Sequence, residues 1–347
     1  MTQEPGEPLD PVLALRQIVF ALGTAAEPGY RIRAFQRAAD ALASLPAEDV
    51  RRLARQGKLK SVPGVGEASE RAVLEALAGK TPSYLEKIQE NAEDALSDGG
   101  RRVLEALRGD CHTHSNWSDG YEPIETMMDA AIALGREYVV LTDHSPRLTV
   151  ASGLSPERLE QQLDLLEELN ARLAPFRILT GIECDINLDG TLDQEERLLK
   201  RLDVVVGSVH SKLRQDSEGM TTRMLAAIEN PHLDILGHCT GRLVVGRGRP
   251  ESQFDHEAVF EACARYDKAV EINSRPERVD PPDNLIKLAF DKGCKFAIDT
   301  DAHAPAQLNW LRLGSERAAQ HGIPLERIVN TQDADGLIAW CRTHDGR

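Results

Sequence analysis

From residue 109 onward the chain repeats one pattern. A short run of Val, Ile and Leu ends in a histidine or a carboxylate, and a stretch of helical spacing follows. The runs are "GDCHTH", "EYVVLTDHS", "FRILTGIECDI", "LDVVVGSVHS", "LDILGHCTG", "KAVEINS" and "CKFAIDTDAH"; the intervening stretches include "SPERLEQQLDLLEELNARL" and "DNLIKLAFDKG". Continuous apolar strands alternating with helices predict a parallel sheet covered by helices. Seven runs favour a closed α/β barrel over an open sheet. In such a barrel every strand C-terminus opens on one face, so residues distant in sequence meet there.

The strand ends carry one kind of chemistry: His112 and His114, Asp143 and His144, Glu183, His210, His238, then Asp301 and His303. Taken alone, "DCHTHSNWSDG" (110–120) fits satisfied polar groups, an isolated metal site, or one piece of a larger cluster. Convergence on one face selects the last. Residues i and i+2 of a strand point to one side, which pairs His112 with His114 and Asp301 with His303. Cys111, Cys184 and Cys239 each neighbour a candidate ligand and should point the other way. Imidazole mixed with carboxylate suits Zn²⁺, Mn²⁺ or Fe better than Ca²⁺ or Cu. His232, His256, His321 and His344 fall in helical or loop contexts and read as surface residues. Asp143, Asp185 and Asp299 are expected to hydrogen-bond ligand histidines from behind. Lys212, Arg242, Arg247, Arg249 and Arg275 follow strand ends and could grip phosphate, Arg275 foremost.

Residues 10–90 differ: "DPVLALRQIVFAL", "YRIRAFQRAADALASL" and "AEDVRRLARQGKL" have helical spacing, and "SVPGVGEASERAVLEAL" is a glycine-rich break leading into another helix. "NAEDALSDGG" reads as a turn or linker. With 41% hydrophobic and 28% charged residues the chain reads as soluble and globular. No apolar run approaches a membrane span, and "MTQEPGEPLD" is no signal peptide, so the expected location is cytoplasmic. Six cysteines without C-x-x-C spacing fit reduced, buried thiols. The net charge of −15 argues against a general nucleic-acid binder.

Seven motifs in order over about 109–320, "RGDCHTHSNWSDG", "LTDHS", "GIECDI", "VVGSVHS", "DILGHCTGR", "EINSRPERVD" and "IDTDAH", resemble the PHP (polymerase and histidinol phosphatase) family. The domain carried by bacterial family X DNA polymerases is especially similar. The resemblance implies a distorted (β/α)7 barrel with three divalent metal ions, Mn or Zn, with Fe as an alternative. One ion would use His112, His114, Glu183 and Asp301. A second would share Glu183 and add His210 and His238. The third would use Asp119, His144 and His303. Glu183, His210, Asp301 and Arg275 are the residues expected to carry catalysis.

"VPGVG" (62–66), with "YRIRAFQRAADAL" before it and "GKTPSYLEKI" after it, resembles the helix-hairpin-helix element of the small N-terminal domain of family X polymerases. Val62, Gly64, Val65 and Gly66 would approach DNA, with Arg51, Arg55 and Lys60 adding charge beside Arg52 and Lys58. The expected organisation is a helical DNA-binding domain over 1–91, a linker over 92–108 and the barrel over 109–347. No nucleotidyltransferase domain fits between the two, which argues against polymerase activity. Ala68 and Ala72, with Arg71 between them, stand where relatives with lyase activity have lysines, which argues against Schiff-base chemistry. The expected function is a metal-dependent phosphoesterase acting at DNA 3′ ends, gapped or single-stranded, as a 3′-5′ exonuclease or end processor in repair. Two alternatives are a phosphatase of nucleotides or histidinol phosphate, and a DNA-binding scaffold with an idle metal site.

Overall fold

The computed structural model describes residues 9–25, 27, 29–92, 96–245 and 248–344. It divides into two compact units, Met1–Ala95 and Leu96–Arg347.

The first unit is all helical: Pro11–Thr24, Gly29–Ala43, Ala47–Arg55, a short turn of helix at Leu59–Ser61, Glu67–Leu77 and Ser83–Ala92. Asp10 starts the first helix, its Oδ1 accepting from Val12 N at 2.8 Å and Leu13 N at 3.1 Å, and Pro11 needs no such partner. Leu15, Ile18, Phe35, Leu42, Leu59 and Val73 form its core.

The second unit is built on seven parallel strands in sequential order: β1 (Gly109–Thr113), β2 (Tyr138–Leu141), β3 (Arg177–Asp185), β4 (Val204–Ser208), β5 (Ile235–Leu236), β6 (Ala269–Asn273) and β7 (Lys295–Asp299). The sheet curls until β7 meets β1. Thr113 bridges Ala302, and His114 N donates to Ala302 O at 2.8 Å. Asn330 completes the seam lower down. Its Nδ2 donates to Gly109 O (3.0 Å) and Ile298 O (2.8 Å), and its Oδ1 accepts from Ile298 N (3.1 Å). The expected (β/α)7 barrel, preceded in the sequence by a helical region, is therefore the fold. Tyr138, Val140, Leu179, Val204, Val206 and Ile235 fill the interior, which Leu337, Trp340 and Cys341 close at the lower end. Helices pack outside over Ile182, Val205, Val270 and Ile298.

Two expectations need correction. The linker over 92–108 holds a helix, Asp98–Ala106, which belongs to the second unit. Ser97 caps it through Gly100 N (3.0 Å), and Val103 and Leu107 are buried; the paired glycines hide these anchors in the sequence. His232 and His344 are not surface residues, since their side chains are almost wholly buried. Among the described residues no helix is long and apolar enough to cross a membrane. All six cysteines are free and buried.

Candidate metal centre

The candidate ligands reach the upper face by different local devices. His112 lies in β1 and Glu183 in β3, while His114, His144, His210, His238, Asp301 and His303 follow the ends of their strands. Asp119 comes from the turn after β1. There Gly120 donates to Ser115 O at 2.9 Å, and a Cβ at Gly120 would meet the Ser115 backbone at 2.6 Å. Only glycine fits so close an approach. Asp143 ties this turn down, accepting from Ser115 N (2.8 Å), Ser115 Oγ (2.6 Å) and Ser118 Oγ (2.6 Å). Asp301 adopts a left-handed backbone with φ of 52°, uncommon outside glycine and frequent at functional sites.

All nine expected ligands meet in one cluster. Glu183 stands at its centre and divides its oxygens. Oε1 lies 2.9 Å from His238 Nε2 and 3.2 Å from His210 Nε2. Oε2 lies 2.8 Å from His144 Nδ1, 3.3 Å from His112 Nε2 and 3.6 Å from His114 Nε2. Asp119 Oδ1 is 3.4 Å from His144 Nε2 and 3.3 Å from His303 Nε2. Asp301 Oδ1 is 3.4 Å from His114 Nε2. Four groups place ligand atoms within 4.8 Å of one another: His114, Asp119, His144 and His303; His112, His114 and Asp301; His112, Glu183 and His238; His144, Glu183 and His210. The Asp119 group thus includes His114 beside the three residues expected there.

Hydrogen bonding tests whether these residues suit cations. Buried polar groups in proteins are nearly always partnered. Here His112 Nε2, both nitrogens of His114 and of His210, His144 Nδ1, His238 Nδ1, Asp119 Oδ1 and Glu183 Oε2 are buried without a hydrogen-bond partner. Among these, His112 Nε2, His114 Nε2, His144 Nδ1, His210 Nε2 and Glu183 Oε2 lie within 3.6 Å of an opposing ligand atom, an arrangement that fits divalent metal ions. The electrostatics agree. Burial opposes charge on His112 and His144, yet Glu183 outweighs it, helped by Glu271 at the first and Asp119 at the second. His112 is held well above its ordinary value and His144 rises to about 10. Burial, then His303 and His144, push His114 well below its ordinary value. Burial would raise Glu183, but His210, His112 and His144 reverse that and hold it well below the usual carboxylate range. The shifts divide the ring: His112, His144 and His210 are raised beside Glu183, whereas His114 and His238 are lowered.

The supporting residues differ from those expected. Of Asp143, Asp185 and Asp299, only Asp185 faces a ligand imidazole: it accepts from His210 N at 3.0 Å and sits 3.6 Å from His210 Nδ1. Asp143 serves the Asp119 turn instead, and Asp299 accepts from Cys111 N at 2.9 Å. The residue the sequence reading missed is Glu271, on β6. Its Oε1 lies 2.6 Å from His112 Nδ1, and its Oε2 accepts from His238 N at 2.5 Å and Asn273 Nδ2 at 3.2 Å. Every partner is a donor, so the carboxylate fixes the proton on His112 Nδ1 and leaves Nε2 bare for a metal. A glutamate inside an apolar strand, two residues before Asn273, was the available signal.

Arg278 is the second omission. Its Nε donates to Asp301 Oδ2 at 2.8 Å, and its Nη1 is buried without a partner. Arg275 Nη1 lies 3.4 Å from Asp301 Oδ1. Arg242 does not face the centre: its Nε donates to Val279 O (3.0 Å) and Arg278 O (3.2 Å), clamping a backbone that is left-handed at Val279, φ 49°. Lys212 is exposed, and Arg247 lies outside the described residues. A cavity of about 450 Å³ opens above the cluster. Its lining combines Asp119, His144, His210, Asp301 and His303 with Arg249, Arg275, Arg278 and Glu277 and with Leu148, Leu243 and Val245.

In the helical unit, Gly64 takes φ of 97° and lies against Arg37 O, so the Val62–Gly66 turn needs glycine there. Val65 is buried and Val62 packs on the same core, which makes both packing residues. Gly64 and Gly66 are exposed, and Gly66 N donates to Ser69 Oγ at 2.9 Å. Arg51 pairs with Glu48 (3.0 Å), Arg52 with Asp49 (2.5 Å) and Lys60 with Glu70 (3.5 Å). Arg55 and Lys58 are exposed.

Comparison with known proteins bears on the second unit. The PHP domain family matches residues 110–275. The DNA polymerase/3'-5' exonuclease PolX of Bacillus subtilis (strain 168) is 36% identical over 70% of this chain, a match spanning 42% of that protein, less than half its length. A probable phosphatase of Thermoanaerobacter sp. (strain X514) is 30% identical over 64% of this chain and 89% of its own. Among solved structures, histidinol phosphate phosphatase from Lactococcus lactis, complexed with zinc, L-histidinol and phosphate, aligns over 63% of this chain and 95% of its own, with 20% identity and a TM-score of 0.48.

Proposed function

The chain belongs to the PHP family of phosphoesterases, and from that premise we propose that it is a trinuclear enzyme hydrolysing phosphodiesters at DNA 3′ ends, as an exonuclease or end processor in repair. The observation that carries this reading is the buried set of orphaned ligand atoms beneath an arginine-lined cavity. A metal-holding floor and a guanidinium wall are what a phosphate ester needs: activation of water below, recognition of oxyanions above.

His112, His114, Asp119, His144, Glu183, His210, His238, Asp301 and His303 would hold the ions. Divalent cations, Mn²⁺ or Zn²⁺ by donor type, would make water nucleophilic near neutral pH and offset charge growing on the phosphate. The protein's part is positioning. Glu183 presents separate oxygens to two sets of imidazoles. Glu271 fixes the face that His112 turns inward. His303 Nδ1 lies 2.8 Å from Asp301 O and 3.2 Å from Arg275 Nη1, and its Nε2 lies 3.3 Å from Asp119 Oδ1. Arg278 and Asn273 occupy Asp301 Oδ2 and leave Oδ1 facing His114. Arg275 and Arg249 line the cavity and would hold phosphate oxygens.

The DNA substrate is favoured by the Val62–Gly66 turn between two helices, with Gly64 and Gly66 at the surface and Arg55 and Lys58 nearby. Six free buried cysteines suit a cytoplasmic setting. A small phosphomonoester is the second reading, favoured by the probable phosphatase matched over 89% of its length. Mn²⁺-supplemented protein should be assayed side by side on 3′-recessed DNA, a mononucleotide and histidinol phosphate. Faster turnover of DNA is expected. Turnover of the small esters alone would assign the second reading.

A further inference from the structure

The described residues of the barrel unit include seven large apolar side chains that are well exposed: Tyr121, Ile132, Val150, Leu188, Val244, Val245 and Tyr266. Scattered exposure of this kind is ordinary and carries no meaning by itself. The distribution here is not scattered. Tyr121 follows β1, Val150 follows β2, Leu188 follows β3, and Val244 and Val245 follow β5, so five of the seven sit on loops of the face that bears the metal centre. Val150 is 91% exposed and Tyr121 73% exposed.

Backbone contacts hold the loops that bear these side chains. Tyr121 N donates to His303 O at 2.8 Å, which seats the tyrosine beside the Asp119 group. Val244 N donates to Glu277 O at 2.7 Å, and Leu243 pairs with Arg249 as an antiparallel bridge. Leu148 and Val245 line the cavity itself, as do Arg249, Arg275 and Glu277, the last 3.6 Å from Arg275 Nε. The mouth therefore offers apolar surface next to guanidinium groups, above the candidate ligands. The ligand complementary to that arrangement has an anionic phosphate and, close to it, a flat and largely apolar group. A nucleotide has this form; a bare sugar phosphate lacks the second half.

We propose that the apolar rim, with Leu148 and Val245 as its inner edge and Tyr121 as a stacking surface, is a subsite for the base of the nucleotide whose phosphate is cleaved. The proposal rests on the phosphoesterase reading above and deepens it by assigning where the base of the substrate binds. Bases have apolar faces whatever their sequence, so the subsite accepts all four and selects against a missing base.

The test uses the full chain loaded with Mn²⁺ and two oligonucleotides that differ only in the 3′-terminal residue, one normal and one abasic. Hydrolysis should favour the base-bearing end on the order of tenfold in kcat/KM. In the double variant Leu148→Ser, Val245→Ser that ratio should fall toward one, whereas Ile132→Ser, altered away from the rim, should keep it. A mononucleotide measured against its base-free sugar phosphate repeats the comparison for a free nucleotide; a preference confined to that arm keeps the base subsite and makes the free nucleotide its source. A fluorescent base analogue at the 3′ end, added to chelator-treated protein, should be quenched by wild type and less by Tyr121→Ala. Hydrolysis with equal ratios in both arms, and no quenching, overturns the subsite while the phosphoesterase reading stands. Hydrolysis of none of these substrates brings down the reading itself.

Discussion

The two ends of the barrel use the same residue types and treat them in opposite ways. At the lower end His344 is fully partnered: Nδ1 lies 2.7 Å from Asp234 Oδ1 and Nε2 lies 3.1 Å from Asp267 O. Asp234 Oδ2 accepts from Val205 N at 2.8 Å, and Asp267 Oδ2 takes Trp340 Nε1 at 3.0 Å and Lys295 Nζ at 2.8 Å. At the upper end six imidazoles crowd together, with neighbouring ring centroids 4.3 Å apart for His114 and His303 and 4.5 Å for His114 and His144. There the ring nitrogens of His114 and His210 complete no hydrogen bond, although Glu183 stands 3.6 Å from His114 Nε2 and 3.2 Å from His210 Nε2. A buried histidine beside a carboxylate is thus no signal by itself. In this pair of sites completed hydrogen bonding accompanies the brace, and clustered unpartnered imidazoles and carboxylates accompany the candidate ligands.

That contrast is open to attack by mutation. Glu183→Ala should have the largest effect, because it removes the carboxylate that faces both imidazole sets. Hydrolysis should fall by about 10³-fold or more with loss of bound metal, while binding of DNA persists. Normal turnover by a folded variant would end the account of Glu183. Asp119→Asn removes one charge at nearly constant volume. Two ions per chain should remain by native mass spectrometry, and single-turnover hydrolysis should drop about 100-fold. Three ions with the same drop would point to proton transfer by Asp119 instead.

Glu271→Gln probes the orientation of His112. The amide can satisfy His112 or His238 N but not both, because it turns a donor toward one of them. Metal affinity, read by chelator competition, should weaken about 10- to 100-fold while the melting temperature of the metal-free protein changes little. Unaltered affinity would reduce Glu271 to a packing residue. At the other end, His344→Ala should leave metal content and kcat unchanged and cost about 2–3 kcal/mol in urea unfolding, since Asp234 loses a buried partner. A loss of metal in this variant would break the distinction between the two ends. The smallest effect is expected for Arg55→Ala in the helical unit. DNA binding should weaken a few-fold, and the slope of affinity against salt should fall by about one phosphate contact.

The sequence made the upper end legible because strand order and i, i+2 spacing decide which side chains share a face, and both survive in the primary structure. His112, His114 and Glu183 could be placed that way. Glu271 left a signal of the same kind, a glutamate two residues before Asn273 in an apolar strand, whereas Arg278 left none. Arg275 and Arg278 stand three residues apart in "EINSRPERVD". Both reach Asp301, and the turn that carries them has a left-handed backbone at Val279 held by Arg242, neither of which leaves a pattern in the sequence. His344 misled for the same reason, since its partners Asp234 and Asp267 come from distant loops. The helix at Asp98–Ala106 was hidden because Gly99 and Gly100 imitate a turn, while Ser97 and Val103 secure it by a cap and by burial.

The central claim is that the unpartnered atoms at the upper end are metal ligands. Metal counting on chelator-stripped, refilled protein tests it most directly, with hydrolysis of 3′-recessed DNA followed in the same samples. Three ions per chain should bind, and activity should return with them. Full activity in the stripped protein, or refilled protein that holds no stoichiometric metal, would contradict it.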